Sequence, residues 1–246
     1  MTLDVTQRID KHSLILDPCP FFSVPDALPW DLYQNLVDQY PEDHMTKDGK
    51  THFQARRYRQ HEFQPGTITP LWAEFIAYHN SVEFKNRVLE LFEPALDRYY
   101  KDYKSLWQQA TVVPRHSTPS HAIAAVAMEV QFVLNGRQEQ TVRTVHLDNS
   151  RELFAALLYM RKPQDHSQGG DIQIYKKLVD RPQFDRREVN PDQVTAVATV
   201  PYQANHMILF LNTVDSLHGV TPRIGANCVR RYINIDAHQD YKLFSI

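Results

Sequence analysis

The spacing of apolar residues changes along the chain, from a helical period in the first half to short strands in the second. Between Pro29 and Pro41, apolar side chains recur on one stripe, which predicts a helix bounded by the two prolines. Thr69 and Pro70 suit an N-cap and a first helical turn, so residues 71–78 are expected to form a second helix.

A longer periodic stretch follows over residues 82–107, beginning after Ser81. Proline removes a backbone donor and clashes with the preceding turn, so Pro94 should kink or split this stretch. Residues 112–122 contain Pro114 and Pro119 and are interpreted as a connector.

From about residue 123 the pattern is typical of β structure. Short apolar runs are separated by the turn signals Asn135-Gly136, Gly169-Gly170 and Gly225-Ala226-Asn227. Many short strands with tight turns indicate a jelly roll or barrel, whose open end commonly holds a ligand. The predicted strands cover residues 123–134, 153–160, 171–175, 195–200, 206–211 and 229–235.

Composition adds limits to this picture. The 246 residues are 42% apolar and 11% aromatic, which suits a single globular domain: a mainly helical scaffold over 1–120 and a β core over 121–246. The formal charge is −2 and basic residues are scattered, so neither a nucleic-acid nor a membrane partner is expected. Oligomeric state stays open. Residues 1–17 lack a signal-peptide pattern, and Cys19 and Cys228 are interpreted as free thiols in a reducing cytoplasm.

Three residues could form a metal site. His146 and Asp148 are two positions apart, so on a strand both would face the same side and Leu147 the other. His218 follows a strongly apolar strand and could supply a third ligand. Two imidazoles and one carboxylate on one face are typical of non-haem Fe(II) sites, which leave the remaining positions open.

Five segments, in order, resemble the Fe(II)- and 2-oxoglutarate-dependent oxygenases, in particular their prolyl-hydroxylase-like branch. The resemblance covers roughly the last hundred residues. The matching segments are His146-Leu147-Asp148-Asn149, Leu157-Leu158-Tyr159-Met160, Gly169-Gly170-Asp171-Ile172-Gln173-Ile174-Tyr175, His218-Gly219-Val220-Thr221-Pro222 and Arg230-Arg231-Tyr232-Ile233.

The resemblance implies a mostly β fold with α, a double-stranded β-helix of the jelly-roll or cupin kind, with the N-terminal helical layer packed on it. It also implies a hydroxylase that consumes 2-oxoglutarate and O2 and releases succinate and CO2, with ascorbate as a possible stimulant. His146, Asp148 and His218 would hold Fe(II). Asp148 argues against the halogenating relatives, which lack this carboxylate.

The far carboxylate of 2-oxoglutarate needs a buried cation, and a guanidinium can bind it through two parallel hydrogen bonds. Arg230 and Arg231 are neighbours on one strand, so only one can point inward. If Ile233 and Ile235 pack against the helices, Arg230 points inward. The family's habit of placing an aromatic directly after this arginine instead favours Arg231, so both remain candidates. Tyr159 could add a hydrogen bond to the same carboxylate.

Substrate contacts are harder to assign. Glu129, Gln131, Val133 and Asn135 share one face of the first core strand, and Gln131 and Asn135 are candidate contacts unless that face is solvent-exposed. Arg143, just before the metal motif, could equally be a substrate contact or an exposed side chain. Other nearby histidines are expected to be exposed or hydrogen-bonded: His116, His121, His166 and His206.

The substrate could be a small molecule or a peptide side chain. Two other functions remain open at this level. One is a non-catalytic ligand-binding protein on the same fold, which an intact triad argues against. The other is a cupin-type metalloenzyme without a cosubstrate, which would have no use for a buried arginine.

Overall fold

Helices pack on one face of a large β-sheet, and a smaller sheet lies across from its other face. This computed structural model describes residues 3–115, 125–137 and 143–245. One large apolar cluster joins the helices to the sheet face that they cover, with Trp72, Phe75 and Phe132 fully buried in it. Burying side chains of this size is the main favourable contribution to folding.

The helices begin and end where the sequence provides caps. The Thr69 hydroxyl accepts a hydrogen bond from Trp72 N, and the Ser81 hydroxyl accepts one from Phe84 N. Pro94 lies in the first turn of its helix and splits the long periodic stretch as expected. None of the described helices is both long and apolar enough to cross a membrane. They are α1 (Trp30–Asp38), α2 (Glu42–Met45), α3 (Pro70–His79), α4 (Val82–Leu91), α5 (Glu93–Tyr99) and α6 (Lys104–Gln109).

Six of the twelve described strands fall where the sequence pattern predicts a strand. In chain order the twelve strands are β1 (Phe21–Val24), β2 (Arg56–Arg59), β3 (Thr111–Pro114), β4 (Ala125–Asn135), β5 (Glu152–Tyr159), β6 (Ile172–Lys177), β7 (Phe184–Asp185), β8 (Glu188–Val189), β9 (Val194–Val200), β10 (Met207–Leu211), β11 (His218–Val220) and β12 (Arg230–His238).

Seven strands form the major sheet, in the order β1-β10-β5-β12-β4-β2, with β3 pairing parallel to β4. The minor sheet has the order β11-β6-β9. Backbone bridges from His146 to His218 and to Glu188 connect it to the small β7–β8 hairpin. The two sheets face each other across a central cavity, as in the expected double-stranded β-helix.

The strand β12 shows how this architecture sorts side chains. Ile233 and Ile235 pack into the large cluster beneath the helices, whereas Arg230, Tyr232 and Asn234 face the cavity. Side chains alternate between the two faces of a strand, so every second residue of β12 faces the cavity and the residues between them face the helices.

Several segments differ from the sequence expectations, and the short strands β7, β8 and β11 were not predicted. Residues 112–114, interpreted as part of a connector, belong to β3, which pairs with β4; the rest of that connector lies outside the described residues after Arg115. The strand β2 was not expected, and it pairs antiparallel with β4 in the register Arg57 to Val133. Residues 123 and 124 of the first predicted core strand also lie outside the described residues.

Candidate metal centre

The backbone brings the two histidines of the candidate triad side by side. His146 N donates to His218 O at 2.9 Å and His218 N donates to His146 O at 3.0 Å, so the residues form a directly opposed pair. Their ring centroids are 4.3 Å apart. His146 forms an isolated bridge and is not part of a longer strand, and Leu147 points away into a small apolar cluster with Val145 and Leu217.

Each imidazole is held by a backbone carbonyl on its far side. His146 Nδ1 lies 2.7 Å from Thr144 O, and His218 Nδ1 lies 2.9 Å from Ser216 O. A carbonyl can only accept, so Nδ1 carries the proton and the Nε2 lone pair of the neutral ring is left for a metal. Such outer contacts fix both the tautomer and the ring orientation.

The Asp148 carboxylate completes the group. Its Oδ1 lies 3.5 Å from His146 Nε2 and its Oδ2 lies 3.3 Å from His218 Nε2. Burial alone would raise the pKa of Asp148, but His218 and His146 outweigh it and hold that pKa well below its usual range. Burial, together with the neighbouring His218, lowers the pKa of His146 to about 4. The site therefore favours an ionised carboxylate and a neutral His146, which are the forms that bind a metal.

These three residues fit a divalent metal. Their candidate ligand atoms all lie within 4.8 Å of one another, and no other cluster of three or more potential ligands occurs in the part of the chain that the structure describes. Two imidazole nitrogens and one carboxylate are the donor set of a facial Fe(II) site.

Arg230 lies in the same cavity and is held by neutral acceptors. Its Nε donates to Gly170 O at 3.0 Å and its Nη1 donates to Asn135 Oδ1 at 3.0 Å. The guanidinium lies against the rings of Tyr159 and Tyr232, with its carbon 5.0 and 4.7 Å from their centroids. No carboxylate is bonded to it among the described residues, so this side chain is positioned for an anion from outside the chain.

Two buried polar atoms beside this arginine have no hydrogen-bond partner among the described residues: Arg230 Nη2 and the Tyr159 hydroxyl. Buried donors are rarely left unpaired, because the unmade hydrogen bond costs free energy. The pair is suited to the carboxylate of a bound 2-oxoglutarate.

Arg231 points the opposite way. Its Nε donates to Met160 O at 2.9 Å, its Nη1 lies 3.4 Å from Glu42 Oε2 in α2, and its guanidinium lies over the ring of Tyr40. It does not line the cavity. Its charge is thus already paired beneath the helical layer.

The Gly169-Gly170 turn allows this arrangement. Both residues have positive φ, +73° and +77°. A Cβ on Gly169 would lie 2.0 Å from Pro222 O, and one on Gly170 would lie 3.0 Å from the Arg223 side chain. Only glycine lets the turn approach this closely and present its carbonyl to Arg230.

Gln131 and Asn135 both line the cavity, as their shared strand face predicts. Asn135 is fully engaged, because it accepts from Arg230 and donates to Gln54 O. Gln131 accepts from Arg57 Nη1 at 3.1 Å and donates to Glu129. Their contact with a substrate stays a prediction.

The remaining histidines are outside the triad. His206 Nε2 lies 2.9 Å from Ser23 Oγ, and His166 is exposed. His116 and His121 lie outside the described residues.

Sequence reasoning missed several residues of the cavity wall. Tyr202 is not itself in the wall, but its ring centroid lies 5.0 Å from the Arg230 guanidinium carbon and its hydroxyl accepts a hydrogen bond from Arg231 N. Arg57, Arg59 and Arg115 come from β2 and the end of β3 and line the same cavity. The one available signal was the spacing of Arg57 and Arg59, two positions apart, which is the period of a strand face.

The cavity itself has a volume of about 500 Å³, within the usual range for small-molecule sites. It is lined near the triad by apolar side chains from both sheets: Ala155, Leu157, Ile172, Phe210 and Val220. Polar and charged residues line the remainder.

Comparison with solved structures places this architecture among known folds. A prolyl 4-hydroxylase from Phytophthora capsici superposes with a TM-score of 0.52 at 17% identity, covering 98% of this chain and 67% of that one. A Pseudomonas putida prolyl-4-hydroxylase gives a TM-score of 0.47 at 14% identity over 89% and 92% of the two chains. HygX from Streptomyces hygroscopicus, solved with nickel and 2-oxoglutarate, superposes with a TM-score of 0.45 at 12% identity, covering 90% of this chain and 83% of that one.

No protein-family model matches the chain, and no curated protein matches it either. The likeness to the Phytophthora protein establishes the fold, a double-stranded β-helix, and the expectation of that fold is confirmed.

Proposed function

We propose that this chain, which has the fold of a prolyl 4-hydroxylase, is an Fe(II)- and 2-oxoglutarate-dependent oxygenase that hydroxylates a small molecule or a peptide side chain. The observation that carries the proposal is the triad: the Nε2 atoms of His146 and His218 face the Asp148 carboxylate, and both Nδ1 atoms are tied to backbone carbonyls. That arrangement has the donor set and the imidazole tautomers of a facial iron site.

Iron bound there would supply the oxidising chemistry, using O2 and 2-oxoglutarate and releasing succinate and CO2. The protein's own contribution is to bind and orient. His146, Asp148 and His218 hold the metal on one side only. Ascorbate would serve to keep the iron reduced.

Arg230 is the proposed partner of the far carboxylate of 2-oxoglutarate. Gly170 O and Asn135 Oδ1 orient the guanidinium, which leaves Nη2 and the adjacent Tyr159 hydroxyl to bind the two carboxylate oxygens. A fixed fork of donors suits a carboxylate better than a lysine ammonium would. The apolar side chains Leu157, Ile172 and Phe210 line the same cavity as the arginine and the triad and would limit the access of water to a bound cosubstrate.

The test is release of succinate from 2-oxoglutarate by purified protein supplied with Fe(II), O2 and ascorbate. Slow turnover without substrate is expected, and His146→Ala should abolish it because two ligands hold iron poorly. His166→Ala is the matched control, since it removes an exposed imidazole far from the triad in sequence, and it should retain turnover.

Other outcomes would redirect the assignment. Lack of measurable affinity for both Fe(II) and 2-oxoglutarate would support a non-catalytic binding protein. Metal-dependent turnover that is undiminished by Arg230→Gln and Arg231→Gln together would support a cupin-type enzyme without a cosubstrate. We also place the protein in the cytoplasm, on the basis of the two buried free thiols Cys19 and Cys228.

A further inference from the structure

Tyr202 lies directly behind the wall of the metal cavity, against the arginine assigned to 2-oxoglutarate. It is fully buried and does not line the cavity. Its ring centroid lies 5.0 Å from the guanidinium carbon of Arg230. The ring also packs edge-on against that of Tyr159, with the centroids 5.2 Å apart and the planes at 85°. Tyr202 therefore contacts both residues of the proposed carboxylate site.

The hydroxyl group of Tyr202 completes the hydrogen bonding of the strand that carries Arg230. The neighbouring strand β5 ends at Tyr159, and the next residue, Met160, still donates its N–H to Arg231 O at 3.0 Å. Arg231 N instead donates to the Tyr202 hydroxyl at 3.1 Å. A buried amide without an acceptor costs free energy, so this hydroxyl stabilises the start of β12 beside Arg230.

The backbone of Tyr202 is tied to the turn that presents its carbonyl to the arginine. Tyr202 N donates to Asp171 Oδ1 at 2.7 Å, and Asp171 directly follows the Gly169-Gly170 turn. Gly170 O is the acceptor of Arg230 Nε. One residue thus contacts the guanidinium, the strand that carries it and the segment that supplies its acceptor.

Two further arginines surround the same ring. The guanidinium carbons of Arg161 and Arg223 lie 5.2 and 5.9 Å from the ring centroid of Tyr202. Arg161 also donates to Tyr202 O at 2.8 Å, and Arg223 is paired with the buried Asp165 carboxylate at 3.1 Å. Because both arginines are bonded to neighbouring groups, they hold the ring in place before any ligand arrives.

We propose that Tyr202 is a positioning residue of the cosubstrate site, whose ring and hydroxyl hold Arg230 in the orientation that binds the far carboxylate of 2-oxoglutarate. The inference rests on the proposed oxygenase function. Immobilising a flexible side chain during binding costs affinity, so an arginine that is already fixed binds its ligand more tightly. An aromatic face stabilises a guanidinium most where water is excluded, and both Tyr202 and Arg230 are buried.

Two substitutions separate the ring from the hydroxyl. Tyr202→Phe keeps the ring and leaves Arg231 N without its acceptor, whereas Tyr202→Leu removes both contacts. Calorimetric titration of the Mn(II)-loaded proteins with 2-oxoglutarate should show a Kd raised about threefold by Tyr202→Phe and about 10-fold or more by Tyr202→Leu. The Kd for Mn(II) alone should change less than about twofold, because the effect is expected at the arginine and not at the triad.

Tyr100→Phe and Tyr100→Leu are the matched controls. Tyr100 is also buried, and its hydroxyl donates to Asn212 O at 2.7 Å, but its ring packs against Trp107 in the helical layer. These variants should lower the thermal unfolding midpoint and change the Kd for 2-oxoglutarate less than about twofold. They separate a loss of stability from a loss of positioning.

A second readout needs neither metal nor 2-oxoglutarate. The Arg230 Nε–H, which donates to Gly170 O at 3.0 Å, should give a slowly exchanging 1H–15N resonance, identified by its loss in Arg230→Gln. Its hydrogen exchange should become about 10-fold faster or more in Tyr202→Leu and should stay within about twofold in Tyr100→Leu. A merely structural role of Tyr202 would lower stability without this selective change.

Several outcomes would overturn the positioning role. One is an unchanged Kd for 2-oxoglutarate in folded Tyr202→Leu, whether or not the exchange of Arg230 becomes faster. Another is an equal loss of affinity in the Tyr100 variants. If Tyr202→Leu does not fold, Tyr202→Phe decides, and a Kd equal to that of the original protein refutes the role.

Failure of the oxygenase assignment would look different. A protein that binds neither Mn(II) nor 2-oxoglutarate would refute the oxygenase function, and the exchange of the Arg230 Nε–H would still show whether Tyr202 holds the arginine. Tight binding of 2-oxoglutarate that Tyr202→Leu leaves unchanged would refute the positioning role alone.

Discussion

Replacing Arg230 by glutamine is the sharpest test of the cosubstrate site. The guanidinium already donates to Gly170 O and Asn135 Oδ1, both at 3.0 Å, so it is held in place before any ligand arrives. Its Nη2 is buried without a partner among the described residues. Glutamine is too short to fill this position and carries no charge, so the 2-oxoglutarate carboxylate would be buried beside tyrosine rings without a cation.

The expected cost follows from that geometry. A hydrogen bond to a charged group contributes about 1.5–3 kcal/mol, and leaving a buried charge without its partner costs about 2–5 kcal/mol. We take about 3 kcal/mol, which raises the Kd for 2-oxoglutarate by roughly 150-fold. Calorimetric titration of the Mn(II)-loaded protein with 2-oxoglutarate measures this Kd, and the KM for 2-oxoglutarate, obtained from succinate release, should rise in parallel.

Arg231→Gln is the control within the same strand. Arg231 binds Met160 O and Glu42 beneath the helices, so its loss should lower the thermal unfolding midpoint but change the 2-oxoglutarate Kd less than about threefold. The reasoning is refuted if the Arg231 variant loses more affinity than the Arg230 variant, or if Arg230→Gln stays within threefold of the original protein while remaining folded by circular dichroism.

Two further predictions concern stability. Burial lowers the pKa of His79 to about 4 from an ordinary value of 6.5, so its contribution is present above pH 6.5 and is lost as pH falls towards 4. The free energy of unfolding should fall by about 3 kcal/mol over this range. Denaturant unfolding of His79→Gln should not show this pH-dependent fall, and parallel stability–pH profiles for the variant and the original protein would contradict the prediction. Gly169→Ala should cost more than about 2 kcal/mol and weaken 2-oxoglutarate binding, because its Cβ would lie 2.0 Å from Pro222 O beside the turn that holds Arg230. The control Gly66→Ala shares the positive φ but meets nothing within 4 Å, so thermal melts showing equal losses for both variants would count against the steric argument.

Features coded by neighbouring residues were predicted well. Pro94 split the long helical stretch, Thr69 and Ser81 cap their helices, and the predicted core strands appear with shifted ends. These are local effects, because a proline, a capping hydroxyl or an alternating pattern acts over a few residues. The alternation of side chains on β12 is also a local effect, and it correctly predicts that Arg230 faces the cavity if Ile233 packs under the helices.

Pairing between distant segments was not predicted. The strand β2 joins β4 across more than seventy residues of sequence, and β3 adds to the other part of β4 in parallel. Neither segment has a strong alternating pattern of its own, since each gains its stability from the strand beside it. The arginines that β2 brings to the cavity were missed for that reason.

The sequence by itself determined the kind of chemistry available: a possible His146, Asp148 and His218 triad, a choice between two arginines, and the strands that carry them. The tertiary structure decided what each side chain meets. Thr144 O and Ser216 O orient the imidazoles, Glu42 engages Arg231, and Gly170 and Asn135 present Arg230 to the cavity. Local patterns set the direction of a side chain, but its partners come from segments far away in the chain, and only folding brings them within hydrogen-bond distance.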